Sequence, residues 1–298
     1  MDTDLTTRAA VIVGYDGSLG AELALDWAYD HAQAEQRPLE IFHATGSSIR
    51  AGQPVAFARA SSATDPRTSK RHHTLLEEAA HRVHTPGGIE VRTVLHHGGA
   101  RAGLVGASRD AAVVVVGATG LGAVESVLLG SVAQGVAKEA RCPVVIVRRS
   151  HATGLRSVLV GTDCDPRSDA ALAFAFRVAG KRSCPLTVLR CFWDVTRPVG
   201  DVAPDEQGYD EERGELSGAI ASHVARYPEV DVHLTLSRGF ADRRLIKATH
   251  DHDLVVIGHH KMPLLDTVVW GNVTPVVVRE AVGDVAVVPA DVGDDDHA

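Results

Sequence analysis

The feature that most constrains this chain is a set of apolar runs, separated by helical patterns, that occurs twice. Val11-Ile12-Val13-Gly14-Tyr15-Asp16 returns in the second half as Val158-Leu159-Val160-Gly161-Thr162-Asp163. Pro38-Leu39-Glu40-Ile41-Phe42-His43 returns as Pro185-Leu186-Thr187-Val188-Leu189-Arg190. Residues 89–95 correspond to 230–236, and Val113-Val114-Val115-Val116-Gly117 to Leu254-Val255-Val256-Ile257-Gly258. Each half closes on one more apolar run, 143–147 and 285–288. Runs that stay apolar instead of alternating suit strands covered on both faces. Between them the spacing turns helical, as in 19–34 and 168–179. Strands alternating with helices dictate right-handed crossovers and a parallel sheet. The expected fold is therefore α/β: two tandem doubly wound, Rossmann-like domains, residues 1–150 and 151–298, meeting in a short polar link. The exits of the second strands, 46–69 and 194–208, are rich in Ser, Pro, Gly and Asp and are expected to be mobile loops.

A length of 298 residues accommodates two such domains. Aromatic residues make up only 4%, so small and β-branched side chains must do the packing. A net charge of -8 argues against nucleic acid as a partner, because phosphate binding needs a basic face. No apolar run reaches the roughly 18 residues of a membrane span. The start, Met1-Asp2-Thr3-Asp4, lacks the basic and apolar regions of a signal peptide, so a soluble, cytoplasmic protein is expected. Cys142, Cys164, Cys184 and Cys191 form no CxxC pair and read as reduced, buried thiols. The histidine doublets 72–73, 96–97 and 259–260 accompany no HExxH or Cys/His spacing, and no metal site is expected. Doublet 96–97 reads as strand-end residues, at the surface or lining a crevice. The acidic end, Asp294-Asp295-Asp296-His297, reads as a solvated tail.

The chemistry is concentrated in the glycine-rich stretch 117–131. In an open α/β sheet, ligands bind outside the carboxyl ends of the strands, where strand order reverses. If the first and fourth strands are neighbours, Gly14 and Asp16 form one wall of that crevice and Gly117 the other. Gly117 and Gly120 would let backbone approach a ligand closely. Gly130-Ser131 opens a helix, with Ser131 as N-cap and Ser131-x-x-Gln134 as a capping box. A helix start attracts anions, phosphate above all. Any one of these glycines alone reads as a plain strand-to-helix turn; the set reads as a cradle. It is neither a Walker A loop nor GxGxxG.

The spacing Gly117-x2-Gly120-x9-Gly130-Ser131 resembles the ATP-binding signature G-x2-G-x9-G-[ST] of universal stress proteins. Val-x-Val-Gly-x-Asp at 11–16 and Cys142-Pro143-Val144-Val145-Ile146-Val147 are similar to that family's first and last strands. The resemblance covers almost the whole chain as a tandem. It implies a five-stranded parallel sheet of order 3-2-1-4-5 in each domain. It also implies pairing of the two domains through their last strands, here within one chain, with a homodimer as a further assembly. In nucleotide-binding members the aspartate after the first strand lies near the adenosine, a role that falls on Asp16. Adenine meets backbone at the end of the second strand, around Ala44. Ribose and phosphates are held by the segment Gly117, Thr119, Gly120, Leu121, Gly122, Ala123 and by Gly130, Ser131 and Val132. The implied ligand is ATP, with Mg²⁺ where a carboxylate needs bridging. The implied role is a nucleotide-dependent regulator in stress or dormancy, acting on protein partners the sequence does not reveal.

The two halves depart from the signature differently. The first has Thr119 and Leu121 where basic side chains are common in the family, and an acid at Glu125. The second keeps Gly161 and Asp163, but reads Gly258-His259-His260-Lys261, then nine residues, then Gly271-Asn272. Lys261 replaces a glycine, Asn272 replaces the Ser, and Pro275 removes one N–H donor. Either this half still binds ATP, with Lys261 on a phosphate, or it is a degenerate half kept for pairing. Asp163 itself reads either as a ligand group or as a residue that caps the following turn. No base, metal carboxylates and cation can be placed around the crevice as phosphoryl transfer requires, so at most slow hydrolysis is expected. Two other readings stand beside the regulator. One is an interaction scaffold without nucleotide. The other is an ATP pyrophosphatase or adenylyl-transfer enzyme, which would need an SGGxDS-like loop that 14–18 does not supply.

Overall fold

A computed structural model describes residues 9–46, 66–120, 129–151, 154–259 and 273–290. The chain divides into two compact units, Met1–Ser150 and His151–Ala298.

In the first unit the elements run β1 (Val11–Gly14), α1 (Leu19–Glu35), β2 (Leu39–Gly46), α2 (Pro66–Val83), β3 (Val91–Gly99), α3 (Ala100–Ala107), β4 (Val113–Gly117), α4 (Ser131–Glu139) and β5 (Val144–Val147). The strands lie in the order β3-β2-β1-β4-β5, every pair parallel. The apolar runs explain this. Val11, Val13, Val113, Val114 and Val115 are fully buried. Each such side chain contributes about 1.5–3 kcal/mol. Helix α1 lays Ala21, Ala24, Leu25, Ala28 and Ala32 on the sheet and ends at Gln36 in the left-handed region. Alanine on that face lets helix and sheet backbones approach closely.

The second unit repeats the pattern: β6 (Val158–Thr162), a 3₁₀ turn (Pro166–Ser168), α5 (Asp169–Arg182), β7 (Leu186–Phe192), β8 (Gly200–Asp201), α6 (Asp210–Arg226), β9 (Val232–Arg238), α7 (Ala241–Asp251), β10 (Leu254–His259), α8 (Val273–Glu280) and β11 (Asp284–Pro289). The parallel order is β11-β10-β6-β7-β9, the same winding, with β8 added antiparallel on the β9 edge. Helix α5 is bulkier than α1, burying Phe174 and Phe176, and ends at Ser183 in the same left-handed conformation.

Strand β8 corrects the expectation of a mobile loop at 194–208. That segment is pinned. Glu206 takes hydrogen bonds from Arg197 at 2.6 Å and Arg238 at 2.5 Å. Tyr209 donates to Asp194 at 2.7 Å, and Arg244 grips Asp201 with two bonds of 2.9 Å. Its Pro and Asp content is that of a loop, but Arg238 and Arg244, which hold it, lie far along the chain. In the first half, Pro66–Ser69, expected as loop, belong to α2. The rest of that exit, 47–65, lies outside the described residues, as do the acidic tail and the first eight residues. The cysteines are free thiols: burial pushes Cys142 up to about 12 and Cys184 and Cys191 up to about 11.

Candidate nucleotide site in the first half

Strand order reverses between β1 and β4, so the crevice opens where these strands end. Tyr15 continues β1 by donating its N–H to the Phe42 carbonyl at 2.8 Å. Backbone polar groups of a strand alternate sides, so Ala44, two residues on, directs its N–H and C=O to the side of β1, past its last residue. Asp16 then turns the chain. Its Oδ1 accepts the Ser18 N–H at 3.0 Å, and Gly17 takes φ +78°. Ser18 caps α1, its hydroxyl accepting from the Ala21 N–H at 3.2 Å.

The glycines do more packing than expected. A Cβ on Gly117 would lie 2.4 Å from the carbonyl carbon of Gly20, and one on Gly20 would lie 2.3 Å from the Thr119 oxygen. The end of β4 and the first turn of α1 are therefore pressed backbone to backbone. Gly117 therefore serves this packing contact, a role the sequence reading did not give it. Gly14 likewise makes room for Leu104 of α3, 3.0 Å from where its Cβ would stand. Gly120 differs: a Cβ there would lie 2.5 Å from Asp16 Oδ2. It is the glycine that brings the β4 exit to the β1 aspartate.

The segment that leaves β4 returns to it. Gly130 donates to the Ala118 carbonyl at 2.7 Å, and Ala118 donates to Val147 at 2.9 Å. Helix α4 starts there, and its N-cap is Gly130, with φ −66° and ψ 147° and no side-chain cap bond. Ser131 is instead the first helical residue and is exposed, so neither the Ser131 N-cap nor the capping box forms. The backbone rule wins over the side-chain motif: glycine reaches the extended cap conformation freely, and the helix starts one residue later than the serine motif suggests. Among the described residues no side chain caps the first turn of α4, which suits an anion. Asp16, Ala44, Gly120, Thr119, Gly130, Ser131 and Val132 all lie at this edge. Leu121, Gly122, Ala123 and Glu125 lie outside the described residues.

In the second half Gly161 packs on Leu245 at the same 3.0 Å. Asp163 is tied into its own turn, its Oδ1 accepting from the Asp165 N–H at 3.0 Å and the Ser168 hydroxyl at 2.7 Å. Cys164 takes the place of Gly17 and also adopts positive φ, +64°. Among the described residues a Cβ on Gly258 would meet only Ala171, at 3.9 Å. Thr274 donates to the Gly258 carbonyl at 3.0 Å, and Pro275 is the third residue of α8. Lys261, Gly271 and Asn272 lie outside the described residues.

A profile of the Universal stress protein family matches residues 8–148 and again 154–289. The chain belongs to the universal stress protein family. A universal stress protein of Mycolicibacterium smegmatis is 29% identical over 294 residues, covering 95% of this chain and 97% of the relative. One from Mycobacterium tuberculosis is 30% identical over 258 residues, covering 83% and 85%. The crystal structure of a universal stress protein from Archaeoglobus fulgidus superposes with a TM-score of 0.69 at 17% identity, covering 97% of both chains, and shares the fold.

One contact escaped sequence reasoning. His43 Nδ1 lies 2.7 Å from the Tyr15 carbonyl oxygen, and its Nε2 lies 2.7 Å from His72 Nδ1 on α2. Only the register of β2 against β1, and the docking of α2, bring these residues together. The available signal was that position 43 is polar within an apolar run and that its counterpart, Arg190, is polar too.

Proposed function

We propose that this universal stress protein binds an adenine nucleotide, ATP foremost, in the first half and acts as a nucleotide-dependent regulator in stress or dormancy. The observation that carries the reading is the convergence of three backbone features on one edge. These are Gly120 against the Asp16 carboxylate, the helix α4 start without a side-chain cap, and Ala44 directed past the end of β1. Asp16 would meet the ribose hydroxyls, Ala44 the base edge, and Thr119, Gly120, Gly130, Ser131 and Val132 the phosphates. Mg²⁺ carried with the nucleotide would supply positive charge against the phosphates. The chain's own contribution is binding and orientation through fixed N–H groups, with little or no catalysis. The second half reads as a degenerate copy, because the Asp163 Oδ1 takes the Ser168 hydroxyl on top of its own turn's N–H and Pro275 removes a donor.

The test is to purify the chain without added nucleotide, denature it, and identify what is released by mass spectrometry, alongside thermal shift with ATP and Mg²⁺. Stoichiometric adenine nucleotide, or a clear shift, supports the regulator. Neither result would leave an interaction scaffold. Steady conversion of ATP to AMP and pyrophosphate would turn the reading to an enzyme.

A further inference from the structure

The contact between β2 and α2 involves two imidazoles and no permanent charge. A carbonyl oxygen only accepts, so His43 must donate from Nδ1 to Tyr15. Its Nε2 is then an acceptor in the neutral ring, and the 2.7 Å contact is completed by His72 donating from Nδ1. Both Nδ1–H groups and the His43 Nε2 then have partners. His43 is 6% exposed and the rings stand 4.8 Å apart.

The second half builds the same tie from different groups. Arg190, the counterpart of His43, donates to the Glu212 carbonyl at 3.1 Å and pairs with the Glu215 carboxylate, both on α6. That tie is an ion pair and not a contact between two imidazoles.

We propose that the His43–His72 contact is a pH-sensitive latch that holds the first turns of α2 to the end of β2 at neutral pH and loosens in mild acid. A first added proton enters at His72 Nε2. It leaves the bond in place but creates a cation partly withdrawn from water. Among the described residues the groups that act on it most are His43 from β2, Arg71 and His73 on α2, and His97 from β3, and none of these supplies a negative charge. The α1 carboxylates that reach α2, Glu22 and Asp26, are engaged by Arg82, ten residues further along the helix. Burial first, and then these neighbours, hold the His72 imidazole below its ordinary value of 6.5. The docked state therefore resists a proton that the released state accepts. The docked state has its full advantage above about pH 6.5 and loses part of it as pH falls through that value toward the lower docked one. The latch needs no bound nucleotide and stands whether or not the first half binds one.

The experiment is hydrogen–deuterium exchange on the full chain at pH 7.5 and 5.5, corrected for intrinsic rates. Opening of 70–80 should rise several-fold in acid, at most about tenfold per excluded proton. Residues 210–218 of α6, held by Arg190, should change less than about twofold. His72→Asn keeps an N–H near the Nδ1 position but cannot take the proton. It should retain protection at pH 7.5 and lose the acid response. A flat wild-type profile, or an acid response that survives in His72→Asn, overturns the latch. If that variant packs poorly, ¹⁵N imidazole spectra of the wild type decide. Nδ1–H on both rings at pH 7.5 supports the latch, and Nε2–H on His43 contradicts it.

Discussion

At the exit of its second strand, the first half ties β2 to the next helix with two imidazoles. The second half does so with Arg190 and Glu215, then folds residues 194–208 back over the sheet edge under Arg238, Arg197 and Arg244. At the exit of the fourth strand, Gly117 is jammed against Gly20, whereas Gly258 has ordinary room beside Ala171. At the first turn, Gly17 supplies the left-handed residue, and its counterpart is Cys164. The winding is common to both halves because it follows from apolar runs and crossover chirality. The strand exits are where the copies diverged: the first presses glycine backbone against backbone, and the second ties its exits with charged side-chain pairs.

The largest expected effect is at the paired glycines. Gly117→Ala forces a methyl into backbone and should destabilise the first unit by about 1–3 kcal/mol, by denaturant unfolding or exchange. Gly258→Ala should cost under about 0.5 kcal/mol. Equal losses would break the comparison. Next comes the left-handed turn. Gly17→Ala, with Leu75 2.9 Å from the new Cβ and φ +78°, should cost about 1–2 kcal/mol. Cys164→Gly should gain up to about 1 kcal/mol by relieving a non-glycine residue at positive φ.

Acid should separate the halves more locally. Hydrogen bonds from the Thr196 hydroxyl, Tyr209 and the Thr196 N–H hold the Asp194 carboxyl down to about 2. Arg238 and Arg197 lower Glu206 in the same way. Both pKa values are depressed on folding, so their contribution is present above ordinary carboxylate values and lost only as pH falls through the lowered ones. Exchange at β8 should therefore stay protected at pH 5.5, where 70–80 in the first half has loosened. Release of β8 at pH 5.5 would contradict this. The smallest effect is at Ser131. As the first helical residue and not the cap, Ser131→Ala should change stability by under about 0.5 kcal/mol. Ser18→Ala, which removes a cap bond, should cost about 1 kcal/mol.

Much of the frame was legible. Uninterrupted valine runs can only be strands covered on both faces, and their recurrence with Gly-x-Asp turns located the units and the crevice. What was not legible depends on partners distant in sequence. Gly117 read as a ligand cradle because Gly20, the residue that demands it, lies on another element. Its position beside the Ser18 cap was the available hint. Ser131 read as a cap because the motif is local, yet the return of Gly130 to Ala118 fixes the helix start. The pinned segment 194–208 read as loose because composition does not show Arg238 and Arg244 reaching back to it. His43 and His72 read as unrelated because β-register and helix docking alone place them together.

The central claim is that the first half is the nucleotide site and the second a degenerate copy. Calorimetric titration of the full chain with ATP and Mg²⁺ tests it most directly. The account predicts one nucleotide per chain, with affinity falling tenfold or more in Asp16→Ala, the loss of a hydrogen bond to a charged group, and unchanged in Asp163→Ala. Two equivalent sites, equal weakening by both substitutions, or no binding at all would contradict it.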